Sequence, residues 1–69
     1  MERYETMGFE ERGILIQALT LSKYWKLIAT TESTQSTYYL FQSRISDSVT
    51  IGVNDGKSDF YDDVIFTNN

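Results

Sequence analysis

The spacing of apolar residues changes near Thr30, and this change limits the folds open to the chain. Before Thr30, apolar residues recur three or four positions apart, which is the spacing of one helix face. After it, apolar and polar residues alternate, which is typical of strands with one buried side. The helical line consists of Ile14, Ala18, Leu21, Trp25 and Ile28, with Leu15 and Leu19 beside it. The sequence therefore predicts an α+β fold in which the helix comes first.

We expect the helix to run from Phe9 to Ile28, with Gly8 or Thr6 capping its start. Its charges suit the helix dipole, because acids lie near the start and bases near the end. These residues are Glu10 and Glu11, then Lys23 and Lys26. The segment from Tyr24 to Thr30 also fits a strand, since apolar residues alternate there as well. The polar run from Thr30 to Thr37 predicts a loop.

The second half predicts three antiparallel strands joined by short turns. Asn54-Asp55-Gly56 is a type I′ hairpin signal, since Asp-Gly supplies the positive φ angles of that turn. A turn there places Ile51 opposite Phe60, and a turn at Ser46-Asp47-Ser48 places Ile45 beside Val49 and Phe41 beside Val53. The predicted fold is thus an N-terminal helix packed on one face of a three-stranded antiparallel meander.

This register separates an apolar face from a polar face. The apolar face carries Tyr39, Phe41, Ile45, Val49, Ile51, Val53, Phe60, Val64 and Phe66. The polar face carries Arg44, Thr50, Gly52, Asp59, Tyr61 and Asp63. Such a division is expected of an antiparallel sheet covered on one side by a helix. Asp62 alone falls on the apolar face, which indicates a sheet edge, a bulge or a register slip by one residue.

The composition removes most catalytic chemistry. The chain has no histidine and no cysteine, so it lacks an imidazole base, a thiolate and any disulfide. Its four glycines are scattered and form no phosphate-binding loop. At 69 residues we expect one small domain, residues 1–69, that is not an enzyme and needs no cofactor.

The net charge of −4 disfavours direct contact with nucleic acid or anionic lipid, which carry the same sign. It suits a basic protein partner, or serves solubility alone. The N-terminus lacks the features of a signal peptide and no apolar stretch is long enough to span a membrane, so we expect a cytoplasmic protein. A homodimer is an open alternative, because so small a chain has no disulfide to stabilise it.

The acidic cluster Asp55, Asp59, Asp62 and Asp63 is the densest charge feature. An EF-hand centred on Gly56 fails, since Ile51 and Val53 would occupy ligand positions. Asp59 and Asp63 on one strand would lie roughly 13 Å apart, too far for one ion, so we expect no metal. The cluster is therefore interpreted as a solvated face with charges that prevent edge pairing, or as a mimic of DNA charge.

Exposed tyrosines add a second indication of protein binding, because tyrosine is a frequent interface anchor. The predicted protein-binding residues are Asp55, Asp59, Tyr61, Asp63, Tyr38 and Tyr24. We therefore expect a small acidic non-catalytic protein that binds another protein as an inhibitor or regulator. The alternatives are an acidic mimic that occupies a nucleic-acid-binding protein, by analogy with phage and mobile-element accessory proteins, and a structural homo-oligomer.

Overall fold

The computed structural model describes residues 2–56 and 62–68. Five strands form one antiparallel sheet in the order β1-β5-β4-β3-β2, and one helix packs against it. The elements are β1 (Glu2–Met7), α1 (Phe9–Leu21), β2 (Trp25–Glu32), β3 (Ser36–Ser43), β4 (Val49–Gly56) and β5 (Asp62–Asn68). The α+β class agrees with the sequence, but the three-stranded sheet is wrong, because a further strand lies at each edge.

The edge strand β2 occupies the segment that sequence spacing left open between helix and strand. The helix ends at Leu21 rather than Ile28, and Trp25 to Glu32 pair with β3, with a bulge between Leu27 and Ala29. Trp25, Ile28 and the threonines favour strands, which is consistent with this outcome. The strand alternative for this segment is therefore confirmed.

The start of α1 follows the prediction, whereas its end does not. Gly8 is the N-cap, and Glu10 and Glu11 lie in the first turn. No basic residue lies in the last turn, because Lys23 and Lys26 follow the end of the helix. Side-chain charges therefore favour the helix dipole only at the N-terminal end of α1, where they are acidic.

The predicted hairpin at Asp55-Gly56 is wrong. Both residues belong to β4, where Asp55 pairs with Thr37 and Gly56 with Ser36. No described residue has a positive φ, so these residues form no type I′ turn. The reason is that β3 begins at Ser36 and gives this segment a strand partner. The connection from β4 to β5 spans 57–61, outside the described residues.

The strand pairings differ from prediction by even numbers of residues. Phe41 pairs with Ile51 rather than Val53. Ile51 pairs with Phe66 across β5 rather than with Phe60. Because side chains alternate with a period of two, these slips keep Phe41, Ile51 and Phe66 on their predicted face. The Ser46–Ser48 turn is confirmed: the Val49 N–H donates to the Ser46 carbonyl at 3.2 Å.

The β2–β3 hairpin is tighter than the predicted loop from Thr30 to Thr37. The Ser33 N–H donates to the Ser36 carbonyl at 2.8 Å, and the Ser33 hydroxyl oxygen accepts from the N–H of Ser36. Residues 33–35 alone connect the strands, so the outer parts of the polar run are strand.

The core lies between α1 and one face of the sheet. It consists of Leu19, Phe41, Ile51, Val53 and Val64, with Met7, Leu15, Ile16, Trp25, Tyr39 and Phe66 packed against it. Predicted apolar positions fail in two places: Ile45 is 80% exposed in the β3–β4 turn, and Ile14, Ala18 and Leu21 of the predicted helical line are all exposed. The helix is rotated relative to its predicted apolar line, and it buries Arg12 and Leu19 instead. Asp62 is the first residue of β5 and pairs with Met7, and the strand register has not slipped by one residue there.

Candidate protein-binding surfaces

A buried arginine connects the start of α1 to the sheet through hydrogen bonds. Arg12 is fully buried, and its Nε donates to Asp55 Oδ1 at 3.2 Å. Its Nη1 donates to the Met7 carbonyl at 2.6 Å, and its Nη2 reaches the Gly56 carbonyl at 3.5 Å. One guanidinium therefore joins the helix to the ends of β1 and β4. Sequence reasoning missed this residue, because an arginine among helical apolar residues is ordinarily a surface charge.

Asp55 thus has a structural partner that the sequence did not reveal. Its side chain is 26% exposed and lies within ion-pair distance of Arg12. A carboxylate compensated by a buried cation offers less charge to an outside partner than a solvated one. The assignment of Asp55 to a binding surface stays a prediction. Within the fold, Asp55 serves as the counter-charge of the buried Arg12.

Among the other predicted site residues, the structure describes Tyr38, Tyr24 and the strand position of Asp63. Tyr38 lies on the face of the sheet away from α1, and Asp63 pairs with Thr6 at a position of that same face. Tyr24 lies in the α1–β2 connection, is 52% exposed, and has Lys23 Nζ 5.3 Å from its ring centre. Asp59 and Tyr61 lie outside the described residues.

Tyr38 has a specific packing role on that face. Its ring lies over Gly52, where a Cβ atom would clash with the Tyr38 hydroxyl and lie 2.9 Å from Cζ. A glycine in a strand interior often marks such a close approach. Tyr38 is half-buried, and the hydroxyl end of its ring lies over the backbone of β4 at Gly52.

A groove of about 400 Å³ opens on the side of the sheet that α1 occupies. Its apolar residues come from three strands: Trp25 from β2, Val49 and Ile51 from β4, and Phe66 from β5. Polar residues complete the lining: Arg3, Thr50, Thr67 and Asn68. The helix packs mainly against β2 and β4, and the lining of the groove comes from the strands alone.

Arg3 is the cation of the groove. Its guanidinium carbon lies 4.8 Å from the centre of the Phe66 ring, a cation–π distance. Its Nε lies 3.6 Å from Glu5 Oε1, and both side chains are largely exposed. Arg3 and Phe66 meet because they pair directly between β1 and β5. This contact could not be predicted from the sequence, because β1 lacks alternating apolar residues.

Other kinds of site have little support in the described part of the chain. Residues 2–56 and 62–68 include no group of three or more acidic, histidine or cysteine side chains placed to hold a metal ion. None of the helices among them has the length and apolar character needed to cross a bilayer. Comparison with protein-family models, curated proteins and solved structures gives no match to this chain.

Proposed function

We propose that this chain is a small acidic, non-catalytic protein that binds another protein and acts as its inhibitor or regulator. The observation that carries the proposal is the groove, in which an arginine lies over an aromatic ring beside an apolar floor. The absence of histidine and cysteine from the sequence supports a role in contact rather than catalysis. We also propose the cytoplasm as its location, since a chain without cysteine suits a reducing compartment.

The groove has the size and chemistry of a recognition site. Binding pockets of about 300–1,000 Å³ with apolar walls and few polar groups are typical of ligand sites. Tryptophan and arginine are the side chains most enriched at interface hot spots, and Trp25 and Arg3 lie at this groove. The groove is therefore suited to an apolar side chain of a partner protein.

Arg3 adds a charge preference to that shape. An arginine at the rim of an apolar site favours a carboxylate, because the guanidinium donates in a planar fork. The occupant we propose is a partner segment in which a large apolar residue stands beside Asp or Glu. The net charge of −4 acts over longer distances and favours a partner that is basic overall.

The acidic-mimic alternative has less support. One of its carboxylates, Asp55, is held by the buried Arg12 at 3.2 Å. The net charge therefore overstates the free negative charge on that part of the surface. We retain protein binding through the groove as the proposal.

The test compares two charge reversals on opposite faces of the sheet. Arg3→Glu changes the rim of the groove, and Lys26→Glu makes the same change on β2 at a position of the other face. Each protein is tagged and incubated with nuclease-treated extract of the source cell, and captured proteins are identified by mass spectrometry. A photocrosslinking residue at position 68, which pairs with Val49 on the groove side of the sheet, reports which of them lies at the groove.

We expect one protein to crosslink from position 68 and to bind Arg3→Glu at least about 30-fold more weakly, because the reversal places a carboxylate against the carboxylate of the partner. Lys26→Glu should bind it about as tightly as the natural chain. Equal binding by all three proteins, or equal loss in both variants, would show that the groove is not the binding site.

A further inference from the structure

The solvent side of α1 carries apolar side chains that no other described residue covers. Ile14 is 68% exposed and Leu21 is 77% exposed, with the exposed Ala18 between them. Spacings of four and three residues place these side chains on one helix face, which we call the outer stripe. The helix packs on the sheet through Leu15 and Leu19 on its other side.

Charges of opposite sign stand at the two ends of the outer stripe. Glu10 and Glu11 lie exposed in the first turn of α1. Lys23 lies exposed two residues after Leu21, where the helix has ended. Arg12, the other charged residue of α1, is fully buried and contributes nothing to this surface. The stripe is therefore acidic at one end, apolar in the middle and basic at the other.

This order of charges makes the stripe complementary to itself in one orientation. When a second α1 lies antiparallel across it, each acidic end meets the Lys23 of the other copy. The two helix dipoles then oppose each other favourably as well. A parallel arrangement would instead place like charges together. Antiparallel packing around a two-fold axis is also the commonest symmetry of homo-oligomers.

The apolar residues fit the same arrangement. With the two-fold axis near Ala18, Ile14 of one copy lies opposite Leu21 of the other, and the reverse holds across the axis. The small side chain of Ala18 lets the two helices approach to the usual 8–10 Å between axes. Apolar side chains on two opposite sides of α1 are consistent with a helix that is buried on both of those sides. We propose that two copies of this chain associate through their outer stripes, antiparallel.

The size of the stripe sets the strength of this dimer. Two short helices cover less than the roughly 1,200 Å² of surface that stable interfaces bury. We therefore expect a weak dimer that forms in proportion to concentration, in the micromolar to millimolar range. The groove is lined by strand residues and not by those of the stripe, so its partner and the second copy use different surfaces.

Sedimentation velocity over a concentration series tests the proposal. The key variant is Leu21→Glu, and its matched control is Thr20→Glu, which adds the same charge one residue away on another side of α1. Thr20 is exposed and its hydroxyl donates to the Ile16 carbonyl at 2.7 Å. We expect Leu21→Glu to weaken self-association at least about tenfold and Thr20→Glu to leave it within about threefold, with far-ultraviolet circular dichroism unchanged in both.

A charge exchange distinguishes this geometry from nonspecific association. Glu11→Lys alone and Lys23→Glu alone should each weaken the dimer, because each places like charges at both ends. An equal mixture of the two variants should restore dimer formation as a heterodimer, because lysine of one variant then meets glutamate of the other at both ends of the stripe. A natural chain that stays monomeric throughout, an unaffected Leu21→Glu variant, or a mixture that fails to associate would each overturn the proposal.

Discussion

Removal of the Asp55 carboxylate should destabilise the protein more than removal of the arginine that it contacts. In the Asp55→Ala variant, the guanidinium of Arg12 stays buried but loses the oxygen 3.2 Å from its Nε. Breaking a buried ion pair from one side typically costs about 3–5 kcal/mol. We expect about 3 kcal/mol here, because Arg12 keeps its bond to the Met7 carbonyl and Asp55 is 26% exposed in the intact pair.

The Arg12→Met variant should cost less, about 1–2 kcal/mol. This substitution removes the buried guanidinium, so no buried charge is left without a counter-charge. The methionine side chain fills much of the vacated space with apolar atoms. The carboxylate of Asp55 can then be solvated, since part of its surface already reaches water. A surface ion pair would behave differently, with both variants within about 1 kcal/mol of the natural chain.

Urea unfolding followed by the fluorescence of Trp25, the single tryptophan, measures these costs. With an m-value of about 1 kcal/mol per molar urea, Asp55→Ala should lower the midpoint by roughly 3 M. A domain of 69 residues has a total stability of only about 3–10 kcal/mol, so this variant keeps about 0–7 kcal/mol of its free energy of unfolding. Asp55→Asn keeps a hydrogen-bond acceptor without the charge, so its urea midpoint should lie between those of Asp55→Ala and the natural chain.

The reasoning would be refuted by a natural-like midpoint for Asp55→Ala, or by Arg12→Met being the more damaging change. A double variant supplies the remaining test. Because Asp55→Ala and Arg12→Met each remove the same interaction, the loss in free energy of unfolding of the double variant should be well below the sum of the two single losses.

Two further predictions concern packing. Gly52→Ala should destabilise the protein by about 1 kcal/mol, because its methyl group displaces the ring of Tyr38; in a Tyr38→Ser background the same change should be neutral in urea unfolding. Phe41→Ala should cost about 3–5 kcal/mol and abolish most of the folded circular dichroism signal, since Phe41 is fully buried. Ile45→Ala, at a residue that is 80% exposed, should leave the unfolding midpoint within experimental error.

The faces of the sheet were predictable, whereas the pairing of its strands was not. Alternation assigned Phe41, Ile51 and Val64 to one side, and all three lie in the core. A two-residue shift changes no face, so the same alternation fits several registers equally well. The choice among them depended on β3 extending back to Ser36, which removed Asp55-Gly56 from the turn.

The helix face was not predictable from spacing, because α1 has apolar residues on both sides. Ile14 and Leu21 match the helical period as well as Leu15 and Leu19 do, and only the sheet decides which pair is buried. Strand β1 gave no signal either. Its positions on the core side include Arg3 and Glu5, whose charges are typical of a protected sheet edge.

The candidate groove could not be found from the sequence for the same reason. It depends on Arg3 pairing with Phe66, and so on recognising β1 as a strand. The tyrosines were identified as candidate interface anchors, whereas Trp25 was placed on the apolar line of the predicted helix; in the structure it packs against the core. The residues of a site on a sheet come together through the strand register, which the alternation of apolar and polar residues does not determine.

The pairing of β1 with β5 bears on how fast the chain folds. Glu2 lies opposite Thr67, so this ladder joins residues from the two ends of the sequence. Long-range pairings of this kind raise contact order and slow folding, because loop entropy is lost before the contact forms. The meander from β2 to β5 can form from neighbouring segments, and β1 must then find the free edge of β5. Until it does, that edge is open to the β1 of another molecule, which is the starting point of a domain swap.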